Sequence, residues 1–379
     1  MTHYQTHVCL VSQQATPNLA SALDKTLAPK QVLLVVSADM KERARWLEGV
    51  LKRHGIGTSR MPIANAYDYH SIAAQLTDWL AERVDQSIAL NITGGTKVMA
   101  MAAQDAFRLA EKPIYYINQE DDSILWLHDR EAAALLEKKI RLRDFLEVHG
   151  YAIEGKPAKP EIPADRRQLV LQMVERIREF GAALGDLNGL AQAASKTLRS
   201  PSMNERQLDS RSLGELIDLF AGEKLLSRKD NCLRFPNETA RQFVNGGWLE
   251  FHVYRILSDL APSLGISDYA INLKVIAPDG KTPNEIDVAF LLGNRLNLIE
   301  CKAANLALPD NSGQDKGASA IYKLETLLKL GGLRTRGMLI DYRGKLSEFE
   351  RDRAKQSGIK VVSGVALQSL SNEIRHWLH

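Results

Sequence analysis

At 379 residues, with 45% hydrophobic and 25% charged side chains, the chain has the make-up of a globular protein of two or three domains, not of a disordered or fibrous one. Its 49 Lys and Arg stand against 46 Asp and Glu, a net +3, so no whole-chain basic footprint exists and any nucleic-acid surface must be local. Cys9, Cys232 and Cys301 lie far apart without a C-x-x-C spacing, which argues against a disulfide framework and a zinc finger.

The first half alternates strand and helix. Residues 7–12 (HVCLVS), 31–37 (QVLLVVS), 87–93 (SIALNIT) and 112–118 (KPIYYIN) are apolar runs suited to strands buried on both faces. Helical stretches at 17–28, 40–54, 70–84 and 96–110 separate them, which predicts an α/β domain with a mostly parallel sheet over 1–150. In such sheets ligands bind beyond the carboxyl ends of the strands. There the chain places SQQATPN, SADM, TGGTK and NQEDD. Thr93-Gly94-Gly95-Thr96-Lys97 is the sharpest of these. Its glycines allow close backbone approach, Thr96 is a fitting N-cap, and the helix start at Thr96-Lys97 favours an anion. It is not a Walker A loop, which needs G-x-x-x-x-G-K-[ST]. A plain strand-to-helix turn that needs glycine for packing explains the motif equally well.

Residues 149–165 (HGYAIEGKPAKPEIPAD) are rich in proline and charge and lack an apolar period, so 151–165 reads as a linker. The stretch 166–240 reads as a small helical connector. Within it 213–235 predicts a helix followed by a hairpin, a winged-helix-like layout with local charge at Arg228, Lys229 and Arg234. A structural spacer that transmits sensor motion fits that stretch better, because no basic recognition helix stands out.

The last part, 241–379, holds the densest chemistry. Residues 284–302 read NEIDVAFLLGNRLNLIECK, two apolar runs joined at Gly293-Asn294, a two-residue hairpin signal. With that turn, Asp287 falls opposite Glu300, and Glu285 opposite Lys302. Opposed residues have Cβ atoms roughly 4.5–5.5 Å apart, and like charges there are destabilising. Cys301 points to the other face, beside Ile299. Facing carboxylates suit a hard divalent cation, which takes oxygen ligands, and removing either one should relieve repulsion. A Glu285–Lys302 salt bridge over a wet face is the structural alternative. In 245–257 (NGGWLEFHVYRIL), Trp248, Phe251, Val253, Tyr254 and Leu257 predict a buried helix side with Glu250 among them, placed to join the cluster. A later helix over 319–332 offers Lys323.

Glu250 on a helix, then Asp287, then Glu300-Cys301-Lys302 resembles the PD-(D/E)XK nuclease pattern. The proline of that pattern is not adjacent here: Pro283-Asn284-Glu285-Ile286 precedes Asp287. The resemblance implies a restriction-endonuclease-like α/β domain in which Asp287, Glu300 and the carbonyl of Cys301 hold Mg²⁺ or Mn²⁺. It also implies that Lys302 orients the attacking water and stabilises charge, and that Glu250 assists the metal. TGGTK after a central strand, fused to that pattern, resembles the Rossmann-like CARF sensor of type III CRISPR nucleases. By that resemblance Ser12, Gln13, Asn18, Thr93, Gly94, Gly95, Thr96 and Lys97 meet a cyclic oligoadenylate, above all cyclic tetra-adenylate. The activated domain then cuts single-stranded RNA, DNA or both, in antiviral defence. A two-fold ring further implies a homodimer. The runner-up is a CARF-type transcription regulator with an inert C-terminal domain, against which the retained Asp287, Glu300 and Lys302 argue. A sensor pocket that also degrades its activator is a third reading. No charged-then-apolar leader and no membrane-length apolar run is present, so a cytoplasmic protein without a membrane partner is expected.

Overall fold

The computed structural model describes residues 4–127, 134–137, 139–159, 164–304, 306 and 315–378. The N-terminal domain runs β1 (Thr6–Leu10), α1 (Thr16–Leu23), β2 (Gln31–Ser37), α2 (Lys41–Arg53), β3 (Gly57–Ile63), α3 (Tyr69–Ala81), β4 (Ile88–Asn91), α4 (Lys97–Leu109), β5 (Ile114–Asn118), β6 (Ser123–Trp126) and β7 (Ala134–Leu135). Its sheet has the order β3-β2-β1-β4-β5-β6-β7, parallel through β5 and antiparallel beyond. Direction of growth reverses between β1 and β4, so their carboxyl ends open a crevice. Strand β3 has no counterpart among the four apolar runs. It reads GTSRMPI, bonds only to β2 and is largely exposed, so neither an apolar run nor a proline-free sequence was required of it.

Helix α5 (Leu142–Val148) follows, and then β8 (Ala152–Ile153). The stretch expected as a linker therefore contains a strand: Ile153 and Ala152 pair with Val275 and Ile276 at the edge of the second sheet, and Ala158 bridges Ile271. Residues 160–163 of that stretch lie outside the described residues. The connector comprises α6 (Ala164–Glu175), α7 (Ile177–Ala193), α8 (Glu205–Leu208), α9 (Arg211–Gly222), β9 (Ser227–Lys229), β10 (Cys232–Arg234) and α10 (Glu238–Gln242). Helix α9 buries Leu213, Leu216, Ile217 and Phe220, spaced three and four apart, and precedes a two-residue hairpin turn with left-handed Asp230 and Asn231.

The C-terminal domain has α11 (Trp248–Leu264), β11 (Ile266–Ile276), β12 (Pro283–Leu292), β13 (Arg295–Lys302), α12 (Lys316–Leu328), β14 (Arg336–Asp341), α13 (Glu348–Gln356), β15 (Ile359–Ser363) and α14 (Leu370–Leu378). Its sheet runs β15-β14-β13-β12-β11-β8. One face packs Val288, Phe290, Ile299 and Cys301 with α11 and the connector helices. The other packs Leu273, Ala289, Leu296 and Leu298 against α12 and against Leu19, Leu47 and Phe145 of the N-terminal domain, in one continuous core. Two polar links pin this seam. Asn294 Oδ1 accepts the N–H of Ile140 at 2.8 Å, and Asp268 Oδ2 accepts that of Leu142, the first residue of α5, at 3.0 Å. Removing such an acceptor strands a buried donor. Asp268→Ala should cost roughly 1–3 kcal/mol in urea unfolding of the full chain. An unchanged midpoint and slope would show the seam does not depend on it.

Candidate active site and ligand pocket

Strands β12 and β13 pair as the turn dictates, from Leu292–Arg295 to Val288–Ile299. There the backbone ladder stops. Strand β12 stays with β11 as far as Pro283, while β13 stays with β14 through Lys302–Asp341. Asp287 and Glu300 are the first residues beyond the last pair, and there Asp287 Oδ2 accepts the N–H of Cys301 at 2.8 Å. The expected pairing of Glu285 with Lys302 does not form: Glu285 is exposed and opposes Lys274 on β11. The Glu285–Lys302 salt bridge falls for the same reason, since β12 has left β13 before reaching Glu285.

The cluster itself is buried, with Glu300 1% and Asp287 7% exposed. Lys302 Nζ lies 2.5 Å from Glu300 Oε1 and 3.9 Å from Asp287 Oδ2. Lys323, on α12, donates to both Glu300 oxygens at 2.8 Å and stands 3.7 Å from Asp287 Oδ1. Burial, then Glu300, raises the Asp287 carboxyl above its usual range. Burial works to lower the Lys302 amine, but Glu300 and Asp287 together outweigh it and raise it. Helix α11 brings Glu250 within electrostatic reach of Asp287, Lys302, Glu285 and Glu300, and burial, followed by Asp287, pushes its carboxyl up to about 8. Added positive charge would favour the ionised form of that carboxyl and offset the shift. Among the described residues no three His, Cys, Asp or Glu side chains form a ready metal cage. The donors that do meet, two carboxylates with the neighbouring Cys301 backbone, are hard oxygens of the type Mg²⁺ and Mn²⁺ take. They fit such an ion. The Cys301 side chain is buried on the opposite face with Ile299.

At the crevice between β1 and β4 lies a cavity of about 640 Å³, lined among others by Ser12, Gln13, Thr93, Gly95 and Thr96. Three expected residues are elsewhere. Asn18 is only 2% exposed, donates to Leu10 O at 2.9 Å and accepts from Asn91 at 3.2 Å, so it ties α1 to β1 and β4 instead of facing a ligand. Gly94 is a packing glycine, since a Cβ there would lie 2.1 Å from Leu10 O. Lys97 is exposed at the first position of α4 and does not line the cavity. Thr96 caps that helix by accepting from Met99 N–H at 3.1 Å. Gln14, Asp39 and Gln119, which lie in strand-end stretches read from sequence without being named individually, line the cavity, as do Asn65 and Tyr67, which were missed. All follow strand ends; Asn65 and Tyr67 were hidden because β3 was.

Residues 6–145 match the model of the Card1 CARF domain, and residues 237–379 that of the Card1-like endonuclease domain. The chain belongs to the Card1-like CARF nucleases. This agrees with the resemblance read from sequence, and an α/β sensor, a helical segment and an α/β nuclease follow one another as expected. Protein VC1899 from Vibrio cholerae is 25% identical, with a TM-score of 0.88 over 98% of this chain and 97% of that one. Can2 from Sulfobacillus thermosulfidooxidans, solved with cyclic tetra-adenylate, is also 25% identical, with a TM-score of 0.81 over 99% of each chain. A type III CRISPR defence DNA nuclease activated by cyclic oligoadenylate shares the fold at 20% identity and a TM-score of 0.55, over 90% of this chain and 45% of that one. No curated protein matches. Among the described residues of this Card1-like nuclease, no helix is long and apolar enough to cross a membrane.

The Asp287–Cys301 bond changes one expectation. Deleting the Asp287 carboxylate relieves repulsion but strands a buried N–H, so Asp287→Ala should lose roughly 1–3 kcal/mol of stability. Asp287→Asn keeps an acceptor and should lose less. Thermal unfolding of the two variants side by side checks this; equal melting points would refute it.

Proposed function

We propose that this CARF nuclease is a divalent-metal-dependent endonuclease that cuts single-stranded RNA, DNA or both once a cyclic oligoadenylate occupies the sensor, in the cytoplasm and as part of antiviral defence. The observation that carries the reading is the convergence of Asp287, Glu300 and Lys302 where β12 leaves β13. Asp287, Glu300 and the Cys301 carbonyl would hold Mg²⁺ or Mn²⁺, with Glu250 supporting them. When bound, the cation supplies polarisation of the phosphate and a more acidic water. Lys302 orients the water and takes up charge developing on the phosphate. The buried wall of Trp248, Val253 and Leu257 fixes the helix that presents Glu250.

Cyclic tetra-adenylate is the activator we favour, because Can2 was solved with it and matches this chain end to end. A cavity of about 640 Å³ suits a drug-sized ligand, and four linked nucleotides exceed that. A two-fold homodimer would supply the matching half. Ser12, Gln13, Thr93, Gly95 and Thr96 would line it, with Lys97 reaching a phosphate from its rim.

Labelled single-stranded RNA, single-stranded DNA and plasmid, with Mg²⁺ or Mn²⁺ and with or without each cyclic oligoadenylate, test the reading. Cutting should need both metal and ring. Glu300→Ala should bind the ring normally and cut nothing; full cutting by Glu300→Ala in EDTA would end the metal-nuclease assignment.

Lys97→Ala should weaken ring binding about tenfold, or 1.4 kcal/mol, and spare any basal cutting. It is a cleaner probe than a change at Gly95, whose φ of +75° and a built Cβ 2.9 Å from Leu10 Cβ would disturb the fold itself. Calorimetry should give one ring per two chains. A monomer that binds one ring with full affinity would contradict the dimer.

A further inference from the structure

Lys323 is not a residue of the nuclease pattern, yet it donates to both oxygens of Glu300, whereas Lys302 meets Oε1. The Lys323 ammonium is 2.8 Å from each oxygen, and 3.7 Å from Asp287 Oδ1. A single positive charge shared by two buried carboxylates in this way occupies the place where a cation bound to them would sit. Lys302 is carried on the same strand as Glu300, two residues away, so a movement of that strand carries both. Lys323 comes from a helix instead. Helix α12 packs Ala320, Ile321, Leu324 and Leu327 into the core shared by both domains.

The far end of that helix touches the sensor. Five residues beyond Lys323, about 8 Å along the helix, α12 ends at Leu328 and the chain passes into a 3₁₀ segment, Lys329–Arg334. Two adjacent glycines there meet sensor side chains. A Cβ on Gly331 would lie 2.9 Å from the Phe145 ring of α5, and one on Gly332 would lie 2.6 Å from the amide nitrogen of Gln14. Gly332 has φ +74°, so backbone rather than side chain is laid against Gln14. Gln14 in turn lines the 640 Å³ sensor cavity, next to Ser12 and Gln13. Sensor cavity, Gln14, Gly332, α12, Lys323 and Glu300 thus form an unbroken run of contacts within one chain.

We infer that Lys323 is an autoinhibitory positioning residue: its amine holds Asp287 and Glu300 against metal loading in the resting protein, and ligand in the sensor withdraws it through Gln14 and the Gly331–Gly332 segment. This rests on the metal-nuclease and ring-activation readings above, and adds to them what the activator changes. The physics is competition. A cation must displace the ammonium from the same oxygens, so a ligand that favours the withdrawn helix raises metal affinity by its own differential affinity for the two states. Rearrangement between two nuclease domains is not required for this step.

The test measures Mn²⁺ binding to the full-length protein by titration calorimetry, using MnCl₂ with and without saturating cyclic tetra-adenylate, so that cutting is not the readout. In the wild type the ring should tighten Mn²⁺ binding by about 5- to 150-fold, the usual span of coupling between sites. Lys323→Met should bind Mn²⁺ without the ring about as tightly as the wild type does with it. Lys323→Arg, which restores the charge, should restore the dependence on the ring. Gln14→Ala, read at a ring concentration that saturates the variant, should lose the ring-induced rise in Mn²⁺ affinity. Unchanged or weaker ring-free Mn²⁺ binding in Lys323→Met overturns the clamp, and a full ring-induced rise in Gln14→Ala overturns the route. Failure of the wild type to bind Mn²⁺ with or without the ring overturns the metal-nuclease reading, and the clamp with it. Mn²⁺ binding together with no detectable ring binding overturns ring activation and the route.

Discussion

Burying two carboxylates side by side is unfavourable unless positive charge meets them, and that constraint organises the C-terminal domain. Asp287 and Glu300 meet just beyond the last β12–β13 pair, Val288–Ile299, which the Gly293-Asn294 turn sets. The protein answers the repulsion in three ways at once. The Cys301 N–H satisfies one Asp287 oxygen, Lys302 and Lys323 meet Glu300 from two directions, and Glu250 approaches as a carboxyl with raised proton affinity.

The second organising feature is the seam. A single apolar core runs from Leu19, Leu47 and Phe145 to Leu273, Leu298 and Leu324, so sensor and nuclease are not beads on a string. Strand β8 adds the chain leaving the sensor to the nuclease sheet, and Asp268 and Asn294 bond the backbone just before and within α5. Interfaces packed this densely move between discrete arrangements rather than deforming gradually, which suits a switch.

What was legible in the sequence is tied to local rules. Four strands of the N-terminal sheet show as apolar runs because both their faces are buried, whereas β3, at the edge and largely exposed, carried no such mark. The turn at Gly293-Asn294 and a period of two were enough to bring Asp287 opposite Glu300, and the buried side of α11 was enough to bring Glu250 toward them. The same rules failed one step later, at Glu285, where β12 leaves β13 for reasons that lie in β11 and β14.

Residue chemistry and periodicity by themselves therefore determined the N-terminal α/β domain and the acidic hairpin, since each depends on neighbours within a few turns or one hairpin; the order sensor then nuclease came from the family that those motifs resemble. Only the tertiary structure decided that Asn18 faces inward, that Gly94 serves packing, that the expected linker is partly strand, and that Lys323 reaches Glu300 while its helix ends against Gln14. Those outcomes join segments up to hundreds of residues apart. Such contacts are set by how sheets and helices stack, and no local period records them.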